Sequence, residues 1–121
     1  MKEIKEHYGD ELSRLVVHGM IEKKATNIVV MDLRGVKNAF TDFFVICSGN
    51  SDTQIEAISD SVEEVTQYFK EKPWRNEGRQ NKQWILMDYV NVVAHIFLKE
   101  QREFYGLEEL WGDAKIKKIE S

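Results

Sequence analysis

The sequence predicts a mixed α/β domain, with about five strands in one sheet and helices packed against it. Three observations predict this fold class. Two short runs rich in β-branched and aromatic residues, Ile28-Val29-Val30-Met31-Asp32-Leu33 and Phe43-Phe44-Val45-Ile46-Cys47-Ser48, are apolar without alternation, as strands covered on both faces are. Ile55, Ile58, Val62, Val65 and Phe69 follow at steps of three, four, three and four, which stacks one apolar stripe along a helix. Two further apolar runs, at 83–87 and 92–98, come after that helix.

In chain order, Tyr8, Leu12, Leu15, Val16 and Met20 recur at helical spacing and predict an amphipathic helix over about residues 3–22. The first strand closes at Gly35 and the second ends at Gly49-Asn50. Ser51 and Gln54 make a capping box, in which each side chain satisfies a backbone donor at the start of the next helix. Pro73 is expected to stop that helix. A weak strand at 74–77 and the strand at 83–87 flank the polar turn Glu77-Gly78-Arg79-Gln80-Asn81-Lys82, and Asp88-Tyr89-Val90-Asn91 turns the chain into the last strand. Phe104, Leu107, Leu110 and Trp111 belong to one or two short helices, broken at Gly106 and finished at Gly112. Residues 1–114 read as a single domain and 115–121 as a basic tail with nothing to anchor it.

Composition narrows the function classes. With 121 residues and 42% hydrophobic content, the chain can bury a core without disulfide or metal. Cys47 is the single cysteine, so no internal disulfide is available and a cytoplasmic location is expected. No apolar run approaches the roughly 20 residues of a membrane span, and Met1-Lys2-Glu3-Ile4-Lys5-Glu6 has none of the apolar centre of a signal peptide. The net charge is -4, from 17 basic and 21 acidic residues. Residues 52–72 hold six acidic and two basic side chains, an excess of four, and residues 88–113 hold the same numbers. Such faces attract a basic protein and repel naked nucleic acid. A solvated acidic surface is the plainer account of the same charges.

Few residues invite chemistry. Gly49-Asn50-Ser51 lies between a strand and a helix, where backbone donors can cradle a phosphate, and a nucleotidyl-transfer enzyme could use it with Asp32 or Asp42. That reaction needs two or three converging carboxylates, whereas Asp32, Asp42 and Asp88 stand one per element. Turn and helix cap explain the loop better, and no cofactor or metal is expected. His95 lies in an apolar strand, opposite in direction to Ala94 and Ile96, and reads as a hydrogen-bonded core or interface histidine; His7 and His18 are eleven residues apart and unpaired with each other. Cys47 reads as a buried, inert thiol. Trp84 shares strand parity with Leu86 and Asp88, while Ile85 and Met87 point the other way. The Trp84 ring either fills the core or forms an interface anchor, and Trp111 carries the same ambiguity. Direct RNA binding through Lys23, Lys24 and the basic tail is the weakest reading, given the charge balance.

With these residues in view, the chain over about residues 5–114 resembles the ribosomal silencing factor family, also called Iojap-like proteins. The words that carry the resemblance are Lys24-Ala25-Thr26-Asn27-Ile28-Val29-Val30-Met31-Asp32-Leu33, Thr41-Asp42-Phe43-Phe44-Val45-Ile46-Cys47-Ser48-Gly49-Asn50-Ser51 and Glu77-Gly78. Further along stand Trp84-Ile85-Leu86-Met87-Asp88-Tyr89, Val92-Val93-Ala94-His95-Ile96-Phe97 and Leu110-Trp111-Gly112-Asp113. The resemblance implies a five-stranded α/β fold like that of nucleotidyltransferases but without their catalytic carboxylates. It implies a non-enzymatic factor that binds a basic large-subunit ribosomal protein on the inter-subunit face, blocks joining of the small subunit and represses translation. A homodimer of the free protein also fits. The partner-facing residues map onto Trp84, Asp88 and Tyr89, with Leu86 between them on the strand face of Trp84. Two departures matter. The family continues Asp-Tyr with Gly-Asp where this chain has Val90-Asn91, so the turn is expected to take a different shape, because valine resists positive φ. Trp84 and Tyr89 also have opposite parity, and share a surface only if the strand ends or bulges near Asp88.

Overall fold

The structure, a computed structural model, describes residues 10–119. Its elements in chain order are α1 (Glu11–Glu22), β1 (Thr26–Asp32), β2 (Phe43–Gly49), α2 (Asp52–Tyr68), β3 (Arg75–Glu77) and β4 (Trp84–Asp88). Then follow β5 (Val92–Leu98), α3 (Lys99–Tyr105), α4 (Leu107–Leu110) and β6 (Lys115–Lys118). The strands form one six-stranded sheet in the order β3-β4-β5-β2-β1-β6. Every neighbouring pair is antiparallel except β2 and β5, which run parallel. The mixed α/β expectation therefore holds, with one strand more than expected.

Strand alternation divides the interior into two cores. Val30, Val45, Met87 and Ile96 point toward α1 and α2, where they meet Val16, Met20, Ile55, Ile58 and Val62. Met31, Phe44, Ile46 and Phe97 point the other way, toward Leu33, Leu107 and Trp111. Because both faces are covered, β2 is buried along its whole length, as its unbroken apolar run predicts. β4 differs: its burial alternates, with Ile85 and Met87 closed off and Trp84, Leu86 and Asp88 partly open.

Asp10 caps α1, its carboxylate accepting the Ser13 N–H at 2.8 Å. The first part of the helix expected over 3–22, including His7 and Tyr8, lies outside the described residues. Ser51 caps α2 and accepts the Gln54 N–H at 3.1 Å. Gln54 reaches back to accept the Asn50 N–H at 2.7 Å, one residue before the cap, and donates to the Lys23 and Lys24 carbonyls. The same residue that starts α2 thus also ties down the end of α1. The two helices cross closely at Gly19, where a β-carbon would stand 2.6 Å from the Val62 Cα, and Ser61 Oγ donates to the Gly19 carbonyl at 2.8 Å.

Two expectations are corrected here. Pro73 does not stop α2. The helix ends at Tyr68, and Lys70 turns left-handed at φ 65, so that Glu71 N–H reaches the Thr66 carbonyl and Lys70 N–H the Gln67 carbonyl. Phe69, the last member of the apolar stripe, is consequently exposed. The basic tail, in turn, is not unanchored. Lys115–Lys118 pairs with β1 in the register Lys115 with Asp32 and Lys118 with Val29, and Ile119 N–H donates to the Ile28 carbonyl at 2.8 Å. Backbone pairing with an apolar neighbour holds this strand, and a reading of side chains alone misses it.

Candidate protein-binding surface

β4 presents the candidate surface because both of its ends are fixed. Before it, Gly78 sits at φ 88, and a β-carbon there would lie 1.9 Å from the Trp84 carbonyl oxygen, so only glycine lets the preceding turn pass this close to the strand. After it, Asp88 Oδ1 accepts the Val90 N–H at 2.8 Å, and Asp88 Oδ2 accepts from Arg75 Nε at 3.3 Å. Between these ends Trp84 opposes Phe97 of β5, Leu86 opposes His95 and Asp88 opposes Val93.

The Trp84 indole is half-buried. It stacks on Phe97 with centroids 4.9 Å apart and meets Tyr105 at 4.5 Å. Its N–H donates to His95 Nδ1 at 3.1 Å. His95 is only 3% exposed, and burial pushes its pKa down to about 3, so the imidazole is neutral at physiological pH. Phe44 stands edge-on to it at 4.5 Å, then meets Trp111 at 6.1 Å and Phe40 at 6.1 Å. A continuous band of rings therefore crosses β4, β5 and β2. Its flanks reach solvent: Phe40 and Leu110 are each 71% exposed and Tyr105 is 43% exposed. Glu100, Glu103, Glu109 and Asp113, on or beside the two helices that flank the band, are also exposed.

Arg102 holds those helices in place. It pairs with Glu108 through Nε at 2.9 Å and Nη2 at 3.2 Å, and donates to Ser48 Oγ at 3.0 Å and to the Asn27 carbonyl. With its side chain only 11% exposed, the guanidinium joins α3 and α4 to the ends of β1 and β2.

A family model described as "Ribosomal silencing factor during starvation" matches residues 6–121. This chain belongs to the ribosomal silencing factor family. It is 39% identical over 110 residues to the ribosomal silencing factor RsfS of Halalkalibacterium halodurans, covering 91% of this chain and 93% of that one. A crystal structure of a protein from Chromobacterium violaceum has the same fold, with a TM-score of 0.81 and 25% identity over 92% of each chain. A mouse relative, "Mitochondrial assembly of ribosomal large subunit protein 1", is 35% identical over 75 residues, 60% of this chain and 33% of its own length.

For this ribosomal silencing factor the expected partner-facing residues separate into two groups. Trp84, Leu86 and Asp88 lie together on the aromatic face. Tyr89 does not join them. β4 keeps its alternation through residue 89, so the Tyr89 ring lies on the opposite face, 8% exposed, in the core beneath α2. There its hydroxyl shares a hydrogen bond with Thr66 Oγ1 at 2.9 Å, and burial pushes its pKa up to about 12. The expected change of turn shape is also overturned: Val90 adopts φ 76 despite its branched side chain. Asn91 N–H bonds back to the Tyr89 carbonyl, Thr41 Oγ1 donates to the Val90 carbonyl at 2.9 Å, and these bonds hold the turn in a conformation that suits glycine.

Other sequence candidates find internal partners. At Gly49-Asn50-Ser51 the Asn50 N–H is taken by Gln54, so the loop keeps this donor for the helix start. Asp32 pairs with Arg34 at 2.8 Å, which holds its carboxyl below the usual carboxylate range, and no cluster of three metal-ligating side chains occurs among the described residues. Cys47 is wholly buried, and desolvation pushes its thiol far above the ordinary range. Sequence reasoning missed Phe40, Tyr105 and Leu110 as parts of the surface. Phe40 carried a usable signal, being a large ring in a loop with no periodicity to bury it.

Proposed function

We propose that this chain binds the large ribosomal subunit through a basic protein on its inter-subunit face, sterically blocks joining of the small subunit and so represses translation. The observation that carries this reading is the partly open aromatic band of β4, β5 and β2, with exposed acidic side chains beside it. Apolar rings provide the anchors, and the carboxylates attract a cationic partner and make the encounter salt-sensitive. A footprint of roughly 800 Å² on each partner, centred on Trp84 and Leu86, is enough to hold a small domain where another subunit must dock. Family membership supports the ribosome as target, and the mouse relative, named for assembly of the ribosomal large subunit, supports the large subunit. Action by binding alone, in the cytoplasm and without a cofactor, completes the proposal. A homodimer of the free chain would shield the same rings.

Gradient sedimentation of separated subunits at associating magnesium tests it. The expected result is co-migration with the large subunit and a smaller joined-ribosome peak. Trp84→Ala should weaken large-subunit binding at least tenfold, about 1.4 kcal/mol, while the chain still unfolds cooperatively. Normal joining in the presence of the wild-type chain overturns the reading.

A further inference from the structure

The Trp84 indole carries one polar atom, and the fold uses it internally. Its N–H points at His95 Nδ1, 3.1 Å away. With Nδ1 accepting, the neutral imidazole must carry its own proton on Nε2. That Nε2 is buried and has no hydrogen-bond partner among the described residues. Burying a donor without an acceptor is unfavourable, and a plain apolar side chain at this position would avoid it. Nothing in the sheet pairing calls for histidine either, since the β5 backbone is satisfied by β2 and β4. The imidazole packs edge-on against Phe44 at 4.5 Å and lies nearly parallel to Phe97 at 6.2 Å, which holds the plane of its ring beside the indole.

We propose that His95 is a positioning residue for the Trp84 contact. By accepting the indole N–H inside the sheet, it fixes the ring against Phe97 and Tyr105 and leaves the partner a purely carbon edge. The matching group on the partner is then an apolar side chain, not a hydrogen-bond acceptor. This rests on Trp84 being a contact residue, as proposed above. His95 itself touches no partner; it acts through the orientation of the ring.

The test begins with the unaltered chain. In ¹⁵N-labelled protein the Trp84 indole proton should exchange with solvent about 100-fold more slowly than that of Trp74, whose side chain is 71% exposed. Equal exchange at the two sites overturns the proposal without any variant. His95→Asn keeps an oxygen acceptor near the Nδ1 position and should retain both protection and binding. His95→Phe keeps the ring volume and loses the acceptor; it should release the indole proton and weaken large-subunit binding about tenfold. If Trp84→Ala binds weakly while His95→Phe binds like wild type, positioning by His95 is wrong and the surface survives. If Trp84→Ala itself binds like wild type, the surface reading fails and this proposal falls with it.

Discussion

On the helix-covered side of the sheet, Val16, Met20, Ile55, Ile58 and Val62 meet Val30, Val45, Met87 and Ile96, all at 2% exposure or less. On the opposite side the band of rings Phe44, Trp84, Phe97 and Trp111 packs among aliphatic residues, and its covering helices are short and leave Trp84, Leu86, Phe40 and Leu110 partly or largely in solvent. The first face has the shape of a finished core. The second combines packed rings with open edges, so the same residues that stabilise it are available to a partner. Adjacent residues of one strand therefore differ in exposure, and β4 is where the proposed division between core and contact surface can be measured.

Tyr89→Ala should produce the largest effect, a loss of about 4 kcal/mol in urea denaturation, because it empties a large buried site and removes the partner of Thr66 Oγ1. The family resemblance, which set Tyr89 on the partner-facing surface, would have allowed a mild change at this position; burial beneath α2 excludes it. The neighbouring pair Ile85→Ala and Leu86→Ala sharpens the contrast. The first should cost about 3 kcal/mol and leave partner binding intact, and the second about 1 kcal/mol with weakened binding. Equal stability losses at the two positions would mean that the two faces are equally closed.

Acid should act through the aromatic face. The native His95 stays neutral down to about pH 3, whereas in the unfolded chain it takes up a proton below about pH 6.5. The unfolded state thus binds more protons in that window, and this contribution is present above pH 6.5 and lost as pH falls toward 3. Its size at pH 5 is about 2 kcal/mol relative to pH 7.5. His95→Phe should flatten that part of the stability profile, seen as a smaller difference between unfolding midpoints at the two pH values. The smallest effect is expected at the turn: Val90→Gly relieves a left-handed valine that is 58% exposed, and should raise stability by about 1 kcal/mol or a few degrees in Tm.

Much of the fold was legible in the chain because local patterns and tertiary burial agree. The unbroken apolar run of β2, the Ser51–Gln54 cap and the stripe from Ile55 to Val62 each specify one element, and each is realised. What escaped depends on backbone partners that no local pattern reports. Lys115–Lys118 is a strand because β1 offers it an edge, and α2 ends at Tyr68 because the chain can turn left-handed at Lys70. The surface was half legible. Strand parity grouped Trp84 with Leu86 and Asp88 correctly, but the same parity assigned Tyr89 to the other face, where the family resemblance could not move it. The hydrogen bond between Trp84 and His95 joins residues on different strands, and only the register between β4 and β5 reveals it.

The pairing of β6 with β1 also bears on solubility. Without its outer neighbour, the run Thr26-Asn27-Ile28-Val29-Val30-Met31-Asp32 would become the rim of the sheet, a row of unsatisfied amides bordered by valine, isoleucine and methionine. Such a rim recruits further strands and starts aggregates. The rim that solvent meets instead is Lys115-Ile116-Lys117-Lys118, whose crowded ammonium groups resist stacking on a second copy of themselves. Shortening the chain at residue 114 would thus bare the β1 rim and favour self-association.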